Sequence, residues 1–229
     1  MRILIGDITS YKAIVIVKYL KKNYNSKIYA YSTKSFAKKI KTKYVDHIFI
    51  LNKAKCNDDI SIIINKHSID YFFPVINEEL SLFWKNKTTY FQTLDYLGDF
   101  EAYKTLNDKR KLYDLAVKLD IKAPTSFTST KDAVFPYVIK PTNLSSAKGV
   151  LYVNNPDEVP QNINSNNIII QQYIEGVGVG YSFYCKEGSI TIGYGHKRLA
   201  EYPVSGGSST YREKFINIDM IEIAAKIVN

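Results

Sequence analysis

The sequence is poor in cysteine and lacks long apolar runs. Its two cysteines, Cys56 and Cys185, have no motif spacing, which is typical of reduced packing residues. No apolar run reaches the ~18–20 residues that cross a bilayer. The N-terminus opens on a strand pattern rather than on a charged segment followed by a signal core. These absences predict a soluble, cytoplasmic protein without a membrane partner.

Arginine is also scarce, although the net charge is +9, from 31 Lys and Arg against 22 Asp and Glu. A basic charge of this size is compatible with a nucleic-acid partner. Arginine forks are the usual readers of bases, however, and most of the cations are lysines in amphipathic segments such as 38–41. The charge therefore favours a solvated face, and we expect no nucleic-acid partner. The arginines are Arg2, Arg110, Arg198 and Arg212.

The sequence lacks two common phosphate-binding motifs, and its histidines lack the spacing of metal ligands. The chain contains neither G-x-G-x-x-G nor a Walker A sequence, which excludes the dinucleotide fingerprint and the P-loop. His47 and His67 show no metal-ligand spacing. His196 has the context of a packing or surface histidine. We therefore predict no metal ligands in this chain.

The first third of the chain alternates strand and helix patterns, which predicts a doubly wound parallel sheet. Ligands of such sheets bind at the carboxyl ends of the strands. Glu78 or Glu79 falls at such an end and is a candidate to meet a substrate; alternatively, the pair forms the acidic first turn of a helix through Trp84. The predicted strands are 2–8, 27–31, 48–51 and 71–75.

Residues 135–150 predict a hairpin with a candidate phosphate-binding loop at its tip. Val138 and Ile139 are β-branched and suit a strand, Lys140 follows, and Pro141 ends the ladder because it has no N–H to donate. A loop of small and polar residues comes next, and small side chains let backbone N–H groups approach a phosphate. Lys140 adds a point charge for the same phosphate. The alternative is a surface hairpin with solvated lysines.

Three segments carry a resemblance to a known family. The hairpin sequence FPYVIKP…SSAKGV resembles the nucleotide-binding hairpin of the ATP-grasp superfamily. NDKRKLYDLAVKLDIKAPTSF resembles the signature whose helix-start lysine reaches the phosphates, and IIIQQYIEGVGVGYSF resembles the hinge whose backbone holds adenine. The resemblance implies ATP as the cofactor. The alternative for Lys109 is an ordinary surface lysine at the start of a helix. The implied binding residues are Lys109, Lys140, Ser145, Ser146, Lys148, Gly149, Gln171, Gln172, Tyr173 and Ile174.

The hinge departs from the family pattern at two places. Gln171-Gln172 stands where many members have an acidic residue. Residues 177–180, Val-Gly-Val-Gly, stand where many members place a glutamate for the ribose. The ribose contact is therefore the one that the sequence supports least.

The last third predicts two strands, 181–185 and 189–195, and a Gly/Ser loop, 205–210. The order R-L-x-E-x-P-x-x-G-G-x-S-T resembles a subgroup of predicted carboxylate–amine ligases related to carbamoyl-phosphate synthase. The resemblance implies catalytic roles for Lys197, Arg198 and Glu78, with the loop closing on the substrate. The alternative is an exposed strand followed by a disordered loop.

The fold class that follows is α/β, with a Rossmann-like domain before an incomplete α+β ATP-grasp domain. We expect a parallel-sheet domain at 1–97, a small subdomain with linker helices and hinge at 98–180, and the start of a C-terminal subdomain at 181–229. The resemblance implies a ligase that joins a carboxylate to an amine through an acyl phosphate. Its partners would be those two small molecules, and a homo-oligomer is compatible with the sequence.

The family also implies Mg²⁺, which neutralises phosphate oxygens during phosphoryl transfer. Family members hold it with an acidic strand residue and an E-x-N motif that follow the last helix, and neither occurs in these 229 residues. We therefore expect a C-terminally truncated ligase whose turnover alone is weak. Three explanations stay open: a fragment of a longer ligase, a partner chain that supplies the rest, or a degenerate module that binds nucleotide without turnover.

Overall fold

The computed structural model describes two compact units, Met1–Phe100 and Glu101–Asn229. The described residues are 1–40, 42–76, 79–80, 84, 97–162, 165–204 and 206–228. Glu78 and most of the segment that leads to Gly98 lie outside them. The finer division of the second unit at residue 180 stays a prediction.

The first unit is built on a parallel sheet of order β3-β2-β1-β4. This order, with helices between the strands, confirms the predicted doubly wound sheet. Its elements are β1 (Arg2–Ile5), α1 (Tyr11–Asn23), β2 (Lys27–Ser32), β3 (His47–Ile50), α2 (Cys56–His67) and β4 (Tyr71–Phe73).

The core of the first unit follows from the alternation of side chains along β1. Ile3 and Ile5 belong to the apolar cluster that contains Val17 of α1, whereas Leu4 belongs to the cluster that contains Ile60 of α2. Successive residues of a strand point to opposite faces of the sheet. The apolar run Ile3–Ile5 of β1 is therefore buried on both faces, as is typical of parallel sheets.

The second unit contains two antiparallel sheets. The hairpin sheet has the order β5-β8-β6-β7, and the three-stranded sheet has the order β11-β10-β9. The elements are α3 (Phe100–Asn107), α4 (Lys109–Lys118), β5 (Ser126–Phe127), β6 (Tyr137–Pro141), β7 (Leu151–Val153), β8 (Ile168–Gln172), β9 (Val179–Lys186), β10 (Ser189–Tyr202), β11 (Ser208–Lys214) and α5 (Ile218–Val228).

The start of α4 is fixed by its cap. The Asp108 carboxylate accepts hydrogen bonds from the backbone N–H groups of Arg110, at 2.9 Å, and Lys111, at 3.2 Å. These bonds satisfy N–H groups that have no partner inside the helix. The cap places Lys109 at the first helical position.

Two predictions for the last third need correction. The strand predicted to end at residue 195 continues to Tyr202 as β10, and this one strand includes Lys197 and Arg198, which the sequence also predicts to lie on a strand. The predicted loop at 205–210 ends earlier, because β11 begins at Ser208 and pairs with Tyr202. Serine and threonine pair into a strand through backbone hydrogen bonds. Their polar side chains alone therefore do not distinguish a strand from a loop. In the described residues, no helix is long and apolar enough to cross a membrane.

Candidate functional site

Lys140 is held at the end of β6 by a neutral partner. Its ammonium group donates a hydrogen bond to Oε1 of Gln171 on β8, 3.2 Å away, and Gln171 is only 8% exposed. Burial lowers the pKa of Lys140, and the nearby charge of Lys109 lowers it further. Because an amide oxygen orients the ammonium without neutralising it, the positive charge remains available for an anion.

Lys109 is bound to the backbone of the segment that follows β6. Its own N–H donates to the carbonyl oxygen of Thr142 at 2.9 Å. Its ammonium group donates to the carbonyl oxygens of Pro141, at 3.0 Å, Thr142, at 3.4 Å, and Leu144. Burial lowers the pKa of Lys109, and Asp108 opposes that effect. Lys109 therefore anchors the start of the hairpin loop.

The structure thus brings the two predicted phosphate lysines together. Lys109 bonds the carbonyl of Pro141, the residue directly after Lys140, and its charge depresses the pKa of Lys140. Two neighbouring ammonium groups repel each other in the absence of an anion. Such a pair is suited to a polyanion that neutralises both charges.

The loop between β6 and β7 has a strained backbone with free donors. Ser146 and Ala147 have φ of 58° and 57°, and Gly149 has φ of 70°. Left-handed residues other than glycine are uncommon and concentrate at functional sites. Within the described part of the chain, the N–H groups of these three residues make no hydrogen bond. Ser145 and Lys148 are exposed on the same loop.

A hydroxyl pair joins this loop to the other sheet of the unit. Oγ of Ser208, the first residue of β11, donates a hydrogen bond to Oγ of Ser146 at 2.9 Å. Nearby, a Cβ built at Gly206 would lie 2.8 Å from the hydroxyl oxygen of Tyr152 on β7. The β6–β7 hairpin and the β10–β11 hairpin therefore meet at their tips.

The predicted hinge is partly occupied by the protein itself. The N–H of Gln172 donates to the Thr125 carbonyl at 2.8 Å, and the N–H of Tyr173 donates to the Pro136 carbonyl at 3.1 Å. Ile174 is exposed, and no described residue bonds its N–H or carbonyl group. The N–H and carbonyl groups of Ile174 can therefore still read a base edge.

Lys197 and Arg198 point to opposite faces of the three-stranded sheet, as adjacent strand residues must. Nζ of Lys197 lies 3.9 Å from the Glu213 carboxylate on β11. Nη1 of Arg198 lies 3.1 Å from the Glu201 carboxylate, and Nε of Arg198 is buried without a partner among the described residues. The structure therefore does not direct the two predicted cations toward one ligand.

Gly178, directly before β9, and Gly180 of β9 make room for long side chains of β10. A Cβ at Gly178 would lie 2.9 Å from Cδ of Arg198, and a Cβ at Gly180 would lie 2.7 Å from Cε1 of His196. His196 is 8% exposed, and its Nδ1 is buried without a hydrogen-bond partner in the described structure. The G-x-G sequence of this segment thus allows His196 and Arg198 to lie flat across β9.

Sequence reasoning missed an aromatic pair and an ion pair of the second unit. The ring of Tyr152 lies edge-on to that of Tyr173, with 5.9 Å between centroids. Burial raises the pKa of Tyr152, and the neighbouring Tyr173 and Glu201 raise it further. Arg198 and Glu201 meet because the β10–β11 register is irregular between them. Only the R-x-x-E spacing hinted at this pair in the sequence.

In the first unit, Glu79 rather than the undescribed Glu78 can be placed. Its carboxylate accepts hydrogen bonds from the N–H groups of Asp7, at 3.0 Å, Val75, at 2.7 Å, and Ile76, at 3.3 Å. A Cβ at Gly6 would collide with it. Burial raises the pKa of Glu79, and these donors oppose the rise. Glu79 therefore ties together the carboxyl ends of β1 and β4.

A magnesium site does not emerge from the part of the chain that is described. No group of three or more His, Cys, Asp or Glu side chains there is arranged to hold a metal ion. The Glu201 and Glu213 carboxylates of the three-stranded sheet are engaged with Arg198 and Lys197, respectively. These residues alone do not fit the ion that the resemblance implies, and no chemical step is derived through it.

Comparisons with known proteins also indicate the ATP-grasp family. The sequence model of the ATP-grasp domain matches residues 106–229. A D-alanine–D-alanine ligase of Buchnera aphidicola subsp. Schizaphis graminum is 47% identical over 47 residues, which are 18% of this chain and 15% of that protein.

Solved structures share the fold over nearly the whole chain. The L-amino acid ligase of Bacillus licheniformis superposes with a TM-score of 0.68 at 14% identity, over 99% of this chain and 59% of that one. The biotin carboxylase of Campylobacter jejuni, in its β-γ-ATP complex, superposes with a TM-score of 0.73 at 13% identity. The match covers 99% of this chain and 58% of that one. The chain therefore spans less than two thirds of the length of either.

Proposed function

The chain belongs to the ATP-grasp family, and we propose that its second unit binds ATP at the lysine pair of β6 and α4. The observation that carries this proposal is the proximity of Lys109 and Lys140 beside a loop with free N–H groups. Two mutually repelling ammonium groups gain most from a ligand with several negative charges. A triphosphate is such a ligand.

Each part of the site has a separate task in this proposal. Lys140 binds phosphate oxygens directly, because its one hydrogen-bond partner among the described residues is a neutral amide. Lys109 holds the loop in shape through three carbonyl groups. The N–H groups of Ser146, Ala147 and Gly149 bind further oxygens, and the backbone of Ile174 binds the adenine edge. Ser145, Lys148 and the Gln171–Tyr173 hinge line the same site.

The reaction that we propose for the ligase is activation of a carboxylate. A carboxylate oxygen forms a bond to the γ-phosphorus of ATP while the bond to ADP breaks. The amine nitrogen then attacks the acyl carbon, phosphate leaves, and the amine loses a proton. Arg198, whose Nε is buried without a partner among the described residues, is the cation for the developing charge. The ligase names of two relatives support this class of reaction.

Calorimetric titration of the 229-residue chain with ATP, with and without Mg²⁺, tests the binding proposal. We expect Lys140→Met to weaken ATP binding by about tenfold or more, the usual effect of losing a hydrogen bond to a charged group. Lys186→Met is the matched control, because Lys186 is exposed at the β9–β10 turn, 4.0 Å from Glu187. Equal affinities for the two variants would contradict the proposal.

Turnover is a separate question and needs a separate assay. ADP release is measured with candidate carboxylates and amines, at saturating ATP and Mg²⁺. The sequence-based expectation is weak turnover by this chain alone. Release at a rate normal for enzymes, ~1–10³ per second, would show that expectation to be wrong.

A further inference from the structure

β3 is an edge strand of the first unit, because the described sheet pairs it with β2 alone. The N–H of Asp46, directly before β3, donates to the Ile28 carbonyl of β2 at 2.8 Å. Successive peptide groups of a strand point to opposite edges, so the N–H and carbonyl groups of His47 and Phe49 point away from β2. No described residue bonds them. Such a row of backbone groups can pair with a further strand.

A groove with a volume of about 700 Å³ runs along this open edge. Residues 45–48 form one wall, and the segment that precedes them forms the other with Lys38, Ile40, Thr42 and Lys43. Side chains at successive strand positions alternate between the two faces of a sheet. A groove lined by four consecutive residues therefore lies against the edge of the strand rather than over one face. Its volume is in the range of clefts that bind ligands.

Apolar side chains form one part of this groove. Ile40, Val45 and Ile48 are half-buried and pack against the core cluster that contains Val17 of α1. An extended peptide places every second side chain on the same side. Alternate apolar residues of a peptide that lies along β3 can therefore pack against these three side chains.

The charges of the groove favour an acidic occupant. Lys38 and Lys43 are exposed, and neither forms an ion pair with a described residue. Asp46 is the one acid among the described residues that line the groove. Its carboxylate is already engaged, 2.7 Å from Nζ of Lys21 and 2.7 Å from the backbone nitrogen of Ile28, whose N–H it accepts. The described groove thus presents positive charge that carboxylates on a bound strand would complement.

Protection of the edge is the simpler explanation for these lysines. Charged side chains, lysine above all, keep edge strands from pairing with other chains. A second copy of this chain would bring the same lysines toward each other along the edge, which disfavours self-pairing. Protection, however, requires no groove with an apolar wall beside the strand. It also predicts that the edge rejects acidic and basic strands alike, and this difference can be measured.

We propose that the open edge of β3 binds an extended acidic segment of a partner protein, which adds a strand to the sheet. The backbone groups of His47 and Phe49 supply the hydrogen bonds. Lys38 and Lys43 pair with carboxylates of the segment, and the apolar wall of the groove receives the side chains between them. The inference does not depend on the proposed ATP binding, because every residue that it uses belongs to the first unit.

Titration of the ¹⁵N-labelled 229-residue chain with synthetic heptapeptides tests the proposal. The probe alternates glutamate and valine, and the control replaces every glutamate by lysine. We expect the glutamate peptide to shift the amide resonances of His47 and Phe49 and to bind about tenfold or more tightly than the lysine peptide. Its affinity should fall as the salt concentration rises.

Two N-methylated forms of the glutamate peptide test the backbone pairing. One carries the methyl groups on its glutamate amides, and the other carries them on its valine amides. Only one of these sets of N–H groups faces β3 in a paired strand. We therefore expect one methylated peptide to lose about tenfold or more in affinity and the other to bind nearly as well as the parent.

Charge reversal in the protein tests the role of the lysines. The double variant Lys38→Glu/Lys43→Glu should bind the glutamate peptide about fivefold or more weakly, because two attractions become repulsions. It should also gain affinity for the lysine peptide, which a misfolded protein would not do. Lys12→Glu/Lys18→Glu is the control matched in net charge, because both lysines are exposed on α1 outside the groove. It should keep the preference of the wild type.

Several outcomes would overturn the proposal. Absence of binding by the glutamate peptide, or equal affinity for the glutamate and lysine peptides, would leave the lysines as edge protection alone. Full affinity of both methylated peptides would rule out an added strand. Self-association of the chain without peptide, with shifts at His47 and Phe49 that grow with protein concentration, would assign the edge to a second copy instead.

Discussion

The imidazole ring of His196 lies across Gly180 so closely that a methyl group at Gly180 would approach Cε1 within 2.7 Å. The atoms that this methyl group would meet belong to the buried His196 ring, which has little room to move. Gly180→Ala should therefore cost about 1–3 kcal/mol of unfolding free energy, as overpacking does. Urea denaturation measures this loss.

The control for this prediction is a second substitution. In a His196→Ala background the cost of Gly180→Ala should largely disappear, because the colliding ring is gone. Gly98→Ala should change stability by less than about 0.5 kcal/mol, since a Cβ there would meet nothing within 4 Å. An unchanged cost in the double variant would show that the strain at Gly180 has another source.

The same histidine predicts a pH dependence of stability. Burial lowers the pKa of His196 below 6.5, and the nearby Arg212 and Arg198 lower it further. The unfolded chain thus binds a proton near pH 6.5 that the folded imidazole resists, so stability falls as the pH drops below 6.5 toward the lowered pKa. Lys214, its cross-strand partner, adds no acidic group that would reverse the sign.

Urea midpoints measured between pH 7.5 and 5 check this dependence. The wild type should lose more stability over that range than His196→Asn, which does not titrate. His67, whose pKa is also lowered, is present in both proteins and cancels in the difference. Parallel curves for the two proteins would contradict the assignment.

Replacing Lys109 by methionine should loosen the loop after β6. Three carbonyl groups lose a charged donor, and we expect a stability loss on the order of 1–3 kcal/mol. Hydrogen exchange at residues 142–149 should accelerate in the variant. Lys111→Met is the matched control, because Lys111 is exposed two residues along the same helix. Equal exchange in both variants would refute the anchoring role.

The pairing of Lys140 with Gln171 predicts different effects for two substitutions of the glutamine. Gln171→Leu removes the acceptor of a half-buried ammonium group and should cost about 1–3 kcal/mol in urea denaturation. Gln171→Glu keeps an acceptor and adds an opposite charge, which raises the pKa of Lys140. The glutamate variant should therefore unfold at a higher urea concentration than the leucine variant; the reverse order would contradict this pairing.

Much of the fold was predictable from local patterns. The apolar run of Ile3, Leu4 and Ile5 predicted a buried strand, and the structure has it. Asp108 followed by Lys109 predicted the start of α4, which the cap confirms. These features depend on residues that are close in sequence, where propensity and periodicity act directly.

The geometry of the site depends on long-range register, which local patterns do not contain. The extent of β10, which continues to Tyr202, depends on its pairing with β11. The contact of Arg198 with Glu201 requires an irregularity in the β10–β11 ladder. The position of Glu201 over Gly178 depends on pairing between β9 and β10. None of these follows from composition or spacing.

A crystal structure of the chain with a non-hydrolysable ATP analogue tests the central claim most directly. The account predicts phosphate oxygens within about 3 Å of Nζ of Lys140 and of the N–H groups of Ser146 and Ala147. It also predicts the adenine edge at the backbone of Ile174. An analogue bound elsewhere, with Nζ of Lys140 still on Gln171 and no phosphate beside it, would contradict the account.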